Sequence, residues 1–208
     1  MVIPASANTP QITEFAVPSA DGVPGGIAVT SDGAVWSTSG TAHAFDIPKC
    51  TGCAYSGGNG LGNIVVGPDG ALWYSRPGNQ AIGRITTSGS VHEFPTALGY
   101  PGWVTPGPDG ALWFTLIQGV AGMTTSGEAL LIYSRLTYPS SITTGPDGNL
   151  WVTGAYQDEV GRLTPAGRAT LFRIATGCAS YDIARGDKWL WVACGSLTSS
   201  KGSPRRVG

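Results

Sequence analysis

Seven side chains have the types and spacing to meet a ligand: His43, Arg76, Tyr100, Tyr138, Tyr156, Asp158 and Tyr181. Tyr100 and Tyr138 each precede a tryptophan, Trp113 and Trp151, by thirteen residues, so they hold equivalent places in two copies of one unit. Aromatic faces repeated around a concavity can hold a sugar ring, an aromatic peptide or an apolar cyclic compound. Acid–base chemistry is harder to assemble. Besides His43 there is one histidine, His92, inside what reads as a peripheral strand. Asp158 and Glu159 are adjacent, so in an extended segment they point apart, and a shared acid–base site needs a second group from elsewhere. Arg76 or His43 is the partner available across the mouth. Asp158 and Asp182 are the carboxylates a magnesium ion would use; no metal site and no cofactor are predicted. Asp32, Asp69, Asp109, Asp147 and Asp187 sit at equivalent turns whose local geometry accounts for them.

The four cysteines are Cys50, Cys53, Cys178 and Cys194. Cys178 and Cys194 flank a predicted hairpin turning at 185–188, which brings them across the pair as a disulfide candidate; two buried thiols are the alternative. A bridge there implies an oxidising, extracellular setting, and its absence a cytoplasmic one. Cys50-Thr51-Gly52-Cys53 has no second CxxC for zinc and no helix pattern after it for a thioredoxin-like centre.

The elements that must position these groups come from a repeat. Gly-Pro-Asp-Gly followed by a tryptophan occurs at 67–70 with Trp73, 107–110 with Trp113 and 145–148 with Trp151. Looser copies stand at 30–33 with Trp36 and 185–188 with Trp191, and the Trp-to-Trp intervals are 37, 40, 38 and 40 residues. A period of that length marks an array of one supersecondary unit. In the unit at 61–97, 61–66 reads as a strand, Gly-Pro-Asp-Gly as a tight turn, 71–75 as the returning strand, 81–86 as a third and 90–95 as a fourth. The first unit is irregular, with no clear fourth strand beyond 43–47. The tryptophan of each second strand is expected in the core between neighbouring sheets.

The fold class is therefore all-β: a β-propeller of four-stranded antiparallel blades, with five units seen, either a five-bladed ring or part of a larger one. Residues 1–208 are read as one domain. Ile12-Thr13-Glu14-Phe15 matches the fourth-strand sequence Val91-His92-Glu93-Phe94, so 12–18 is expected to clasp the last blade and hide its edge. Residues 195–208 are expected to be an irregular tail in which Arg205-Arg206-Val207 echoes a third strand.

Charged residues make up 12% of the chain and the formal net charge is -1, which gives no field for nucleic acid. No apolar run reaches membrane-spanning length. Met1-Val2-Ile3-Pro4 lacks the basic start of a signal peptide, so the chain is expected to stay inside or to have lost a leader. The expected partner is a small molecule, glycan or peptide, and the expected state a monomer or a terminus-mediated oligomer.

Ile64-Val65-Val66-Gly67-Pro68-Asp69-Gly70-Ala71-Leu72-Trp73-Tyr74-Ser75, then Ile82-Gly83-Arg84-Ile85-Thr86 and Glu93-Phe94, resembles the repeat of the streptogramin lyase (virginiamycin B lyase) family. The likeness recurs at 145–153 and 160–165 and covers roughly residues 12–194. It implies a propeller. For family members that are active lyases it implies seven blades and opening of a cyclic depsipeptide ester by elimination, with His and Glu near magnesium. Here the glutamate that follows the family's W-F-T is replaced by Ser39, Arg76, Leu116 and Gly154. Three readings stand: a binding propeller without the intact catalytic set, a magnesium-assisted carbon–oxygen lyase, and a structural or assembly module.

Overall fold

The computed structural model describes residues 26–37, 61–97, 99–133, 138–154, 158–174, 177–196 and 199–207. They form five antiparallel sheets in chain order. Sheet 1 is β1 (Ile27–Val29) and β2 (Val35–Ser37); sheet 2 is β3 (Ile64–Val66), β4 (Leu72–Arg76), β5 (Ala81–Ile85) and β6 (Val91–Pro95). Sheet 3 is β7 (Val104–Pro106), β8 (Leu112–Leu116), β9 (Gly119–Met123) and β10 (Ala129–Tyr133). Sheet 4 is β11 (Pro139–Thr144), β12 (Leu150–Gly154), β13 (Glu159–Leu163) and β14 (Ala169–Arg173), and sheet 5 is β15 (Ser180–Arg185), β16 (Leu190–Ser196) and β17 (Ser199–Val207). Each strand pairs with the next, giving the meander of a propeller blade.

The recurring turn exists to hold a tryptophan. In the second sheet the Asp69 carboxylate accepts the Trp73 indole N–H at 2.8 Å, the Ala71 backbone N–H at 3.2 Å and Arg84 Nε at 2.7 Å. Burial works against the Asp69 charge, but the Trp73 and Arg84 donors prevail and hold its pKa below the usual carboxylate value. Gly67 lies under the indole, where a Cβ would come within 2.2 Å of Trp73, and Gly70 turns the chain at φ +74°. The same indole-to-aspartate bond recurs from Trp113 to Asp109 at 3.2 Å and from Trp151 to Asp147 at 3.0 Å.

Strand alternation then decides which way each tryptophan faces. Leu72 and Tyr74 pack with Ala28 and Ile64 against sheet 1, whereas Trp73 packs with Val104, Leu112 and Phe114 of sheet 3. Trp113 meets Ile142, Leu150 and Val152 of sheet 4, and Trp151 meets Ile183, Leu190 and Val192 of sheet 5. Each of these three tryptophans thus reaches forward to the following sheet. Trp73, Trp113 and Trp151 are 0%, 1% and 7% exposed, which makes them the centre of each interface.

Two sequence expectations change here. Trp191 is 46% exposed, although the repeat puts it in the core, whereas Trp36 is half-buried and packs against the cluster of Leu72 and Tyr74. Trp191 faces forward like the others, and no described sheet lies in front of it. At the opposite end Ile27, Val29 and Val35 are exposed on the face of sheet 1 turned away from sheet 2. The described sheets therefore form an open arc, with no buried cluster of described residues joining the first to the last. The second change concerns the expected irregular tail. It carries β17, whose register sets Trp191 opposite Arg206 as Trp73 is set opposite Arg84. The ladder supplies partners for its backbone groups where the side-chain pattern alone is weak. The proposed clasp at 12–18 and the third strand at 43–47 lie outside the described residues.

Candidate functional site

A cleft of about 450 Å³ opens where four loops of sheets 2, 3 and 4 converge. Pro77 and Gly78 come from the 3₁₀ turn (Pro77–Asn79) after β4, and Tyr100, Pro101 and Gly102 from the segment leading into β7. Thr115, Leu116 and Ile117 come from the end of β8, and Tyr138 and Pro139 from the start of sheet 4. No Gly-Pro-Asp-Gly turn contributes. These loops belong to the opposite end of each blade, because a hairpin's two ends lie on opposite rims of a propeller.

Polar side chains at the blade junctions fix the walls relative to one another. Asn63 copies a strand partner: its Oδ1 accepts the Val104 N–H at 2.7 Å and its Nδ2 donates to the Val104 carbonyl at 2.8 Å. This ties the start of sheet 3 to sheet 2. Thr144 Oγ1 donates to the Pro106 carbonyl at 2.7 Å and ties sheet 4 to sheet 3. On the floor, Thr115 Oγ1 accepts the Trp103 N–H at 2.8 Å, and the Thr115 carbonyl accepts the Gly102 N–H at 2.8 Å. The Tyr138 N–H donates to the Ile117 carbonyl at 3.0 Å, bridging two of the loops. With the floor's polar groups engaged in the fold, the surface left for a ligand is mainly aromatic and aliphatic. None of the lining residues is charged.

The side chains singled out from the sequence are placed as follows. Tyr100 and Tyr138 share the cleft and are 43% and 63% exposed. Arg76 ends β4 beside Pro77 but is fully buried, paired with Glu93 on β6. Glu93 also accepts the Tyr74 hydroxyl at 3.0 Å. Burial, followed by the Glu93 charge, pushes the Tyr74 hydroxyl pKa well up, so Tyr74 is a fixed neutral donor. Arg76 is thereby committed to an internal pair and presents no charge to the cleft.

Asp158 lies on another blade junction. Its carboxylate accepts the backbone N–H groups of Gly177 at 2.7 Å, Cys178 at 2.8 Å and Ala179 at 3.4 Å. The Gly177 hydrogen bond leads the causes that lower its pKa, with burial opposing and the other two N–H groups assisting. It anchors the segment entering sheet 5. Cys178 and Cys194 form a disulfide there, with Cα atoms 4.6 Å apart. Tyr181 stands half exposed on β15 over Gly195, apart from the cleft. His43 and Tyr156 lie outside the described residues.

Reasoning from the sequence missed Pro77, Pro101, Leu116, Ile117 and Pro139. A usable signal existed in the two Tyr-Pro pairs at equivalent positions, Tyr100-Pro101 and Tyr138-Pro139. Leu116 was identified only as a departure from the repeat, yet it forms part of the cleft wall.

The described residues do not fit a magnesium site. No group of three His, Cys, Asp or Glu among them could hold a metal ion. Asp158 is engaged by backbone N–H groups, and Asp182 accepts Ser141 Oγ at 2.7 Å and the Ile183 N–H at 2.8 Å. No helix of the described residues is long and apolar enough to cross a membrane.

The sequence profile described as the Virginiamycin B lyase family matches residues 10–196. Among solved structures the chain is similar to a streptogramin B lyase, with 27% identity, a TM-score of 0.71, and 88% of this chain aligned to 65% of that one. It is similar to virginiamycin B lyase from Staphylococcus aureus, with 28% identity, a TM-score of 0.74, and coverage of 95% and 74%. A catalytically inactive His-to-Ala variant of the S. aureus enzyme with quinupristin gives 27% identity, a TM-score of 0.74, and coverage of 94% and 73%. The chain therefore spans just under two thirds of the streptogramin B lyase. No curated protein sequence matches it.

Proposed function

The chain belongs to the virginiamycin B lyase family, and from that premise we propose that it binds an uncharged small molecule, glycan or peptide in the cleft around Tyr100 and Tyr138. The observation that carries this reading is the lining itself: residues from four loops, none charged, around about 450 Å³. That volume lies in the range of small-molecule sites, which are predominantly apolar and aromatic. Leu116, which stands where the family repeat carries glutamate, removes a carboxylate from the wall and favours a neutral ligand. The Cys178–Cys194 bridge favours an oxidising, extracellular setting for the encounter.

A second reading is the family's lyase chemistry on a cyclic depsipeptide. It draws support from the family match and from the similarity to the S. aureus enzyme with quinupristin. Its base would be His43, outside the described residues.

Both readings are separated by one titration. Quinupristin is added to ¹⁵N-labelled protein with magnesium present, and the compound is then recovered and chromatographed. Binding at the cleft shifts the amide signals of Tyr100, Ile117 and Tyr138, and a Tyr100→Ala variant weakens affinity about tenfold, the cost of one well-packed aromatic contact. Shifts confined to other loops would refute the cleft. Recovery of intact compound from the bound complex counts against the lyase reading, and a ring-opened product establishes it.

A further inference from the structure

Tyr138 has backbone geometry that its side chain does not require. Its φ is +53°, in the left-handed region that disfavours residues with a Cβ. It also precedes Pro139, whose ring pushes the preceding residue toward extended backbone. In the preceding blade the same junction is managed differently: Gly99 takes the positive φ, at +109°, and Tyr100 follows without it, whereas in the following blade Ala179, at the position equivalent to Tyr138, takes it at +40°. Glycine at 138 would satisfy the backbone. The usual reason for tolerating a strained residue, a well-buried side chain, is also weak here, since Tyr138 is 63% exposed. Strain of this kind persists where the surroundings over-determine it, and it gathers at binding sites. The surroundings do so here through the Tyr138 N–H bond to the Ile117 carbonyl, which locks the junction to the loop after β8.

We propose that Tyr138 is the residue that selects ligands in this cleft, holding its phenol ring to contact a neutral ligand through an aromatic group. The proposal rests on the reading that the cleft is the ligand site. It goes further by assigning the ligand a ring and by assigning the choice to one side chain. Tyr100 supplies a second aromatic contact at the neighbouring junction, and Ile117 adds apolar surface to the same cleft. An aliphatic ligand of equal size gains the apolar contact but loses ring-to-ring geometry. That geometry is worth about a 2- to 12-fold difference in affinity.

The test compares N-acetyl-phenylalaninamide with N-acetyl-leucinamide, two neutral probes that differ in the ring, by amide chemical-shift titration of the full chain. The wild type is expected to bind the phenyl probe about 2- to 12-fold more tightly, with shifts at Tyr100, Gly102 and Ile117. Tyr138→Phe keeps the preference. Tyr138→Gly and Tyr138→Asn abolish it, while their melting temperatures stay within about 2 °C of wild type or rise, because relief of positive φ offsets the lost ring contacts. Loss of preference together with a melting point lowered by more than about 4 °C makes the ring structural and overturns the proposal. Equal shifts for both probes at the cleft leave the cleft reading intact and overturn the role of Tyr138. Shifts elsewhere, or none at all, overturn both.

Discussion

Replacing Trp113 by alanine tests the forward-packing rule that builds the arc. Trp113 is 1% exposed and lies among Val120, Ile142, Leu150, Val152 and Leu163, so its removal leaves a cavity between sheets 3 and 4. A tryptophan truncated in such a site costs about 3–5 kcal/mol. Most of that is packing, because Asp109, the indole's hydrogen-bond partner at 3.2 Å, is exposed and recovers water when the indole is lost. Trp113→Phe should accordingly lose less, about 1 kcal/mol for the hydrogen bond plus a smaller packing deficit. For a chain of 208 residues, each kcal/mol moves the melting temperature by about 2–4 °C, so Trp113→Ala should fall by about 6–20 °C. Trp191 occupies the equivalent position but is 46% exposed. With roughly half its surface removed from water, Trp191→Ala should cost only about 1–2 kcal/mol. Urea titration and thermal melting followed by far-ultraviolet circular dichroism give both values without relying on indole fluorescence. Equal losses for the two variants would refute the reasoning, since they would mean that the forward face of sheet 5 is covered in solution.

Two other outcomes follow from the last described blade. The Cys178–Cys194 bridge spans 16 residues, and a loop of that size constrains the unfolded chain by about 3 kcal/mol. The double serine variant should therefore melt about 6–12 °C lower, while a change under 2 °C would show the bridge to be energetically idle. Asp158 gives a pH test. Its carboxyl pKa is lowered from 3.8 by the Gly177 N–H above all, so its contribution is fully present above that unfolded value. The contribution disappears as pH falls through the lower folded value. Asp158→Asn should flatten the loss of stability below about pH 4, and a variant with an unchanged acid limb contradicts the assignment.

Much of the scaffold was legible because its causes are local. Within the unit at 61–97 the strand boundaries read from the sequence differ from the observed ones by three residues at most. Gly-Pro-Asp-Gly punctuates the chain, and the aspartate, glycine and tryptophan that cooperate are within seven residues of one another. Equal spacing also paired Tyr100 with Tyr138, since repeat position translates directly into position around the arc. Arg76 shows where such reasoning stops. Its carboxylate partner, Glu93, lies 17 residues away across two strand pairings. The register that puts Gly83 opposite Glu93 brings the charge over the sheet where Arg76 meets it. Asp158 was likewise legible as an exposed acid but not as a backbone anchor, because its donors at 177–179 belong to the next blade.

The sequence by itself determined the repeat, the all-β blade, the disulfide pairing candidate and the absence of a basic field. These depend on residue type and on spacing within one unit. Tertiary structure decided which face each tryptophan covers, that Arg76 is spent on Glu93, and that Tyr138 holds a left-handed backbone beside a neutral wall. Those properties arise between blades, where strand register and the meeting of separate loops set distance and burial. Neither quantity is encoded in any single stretch of chain.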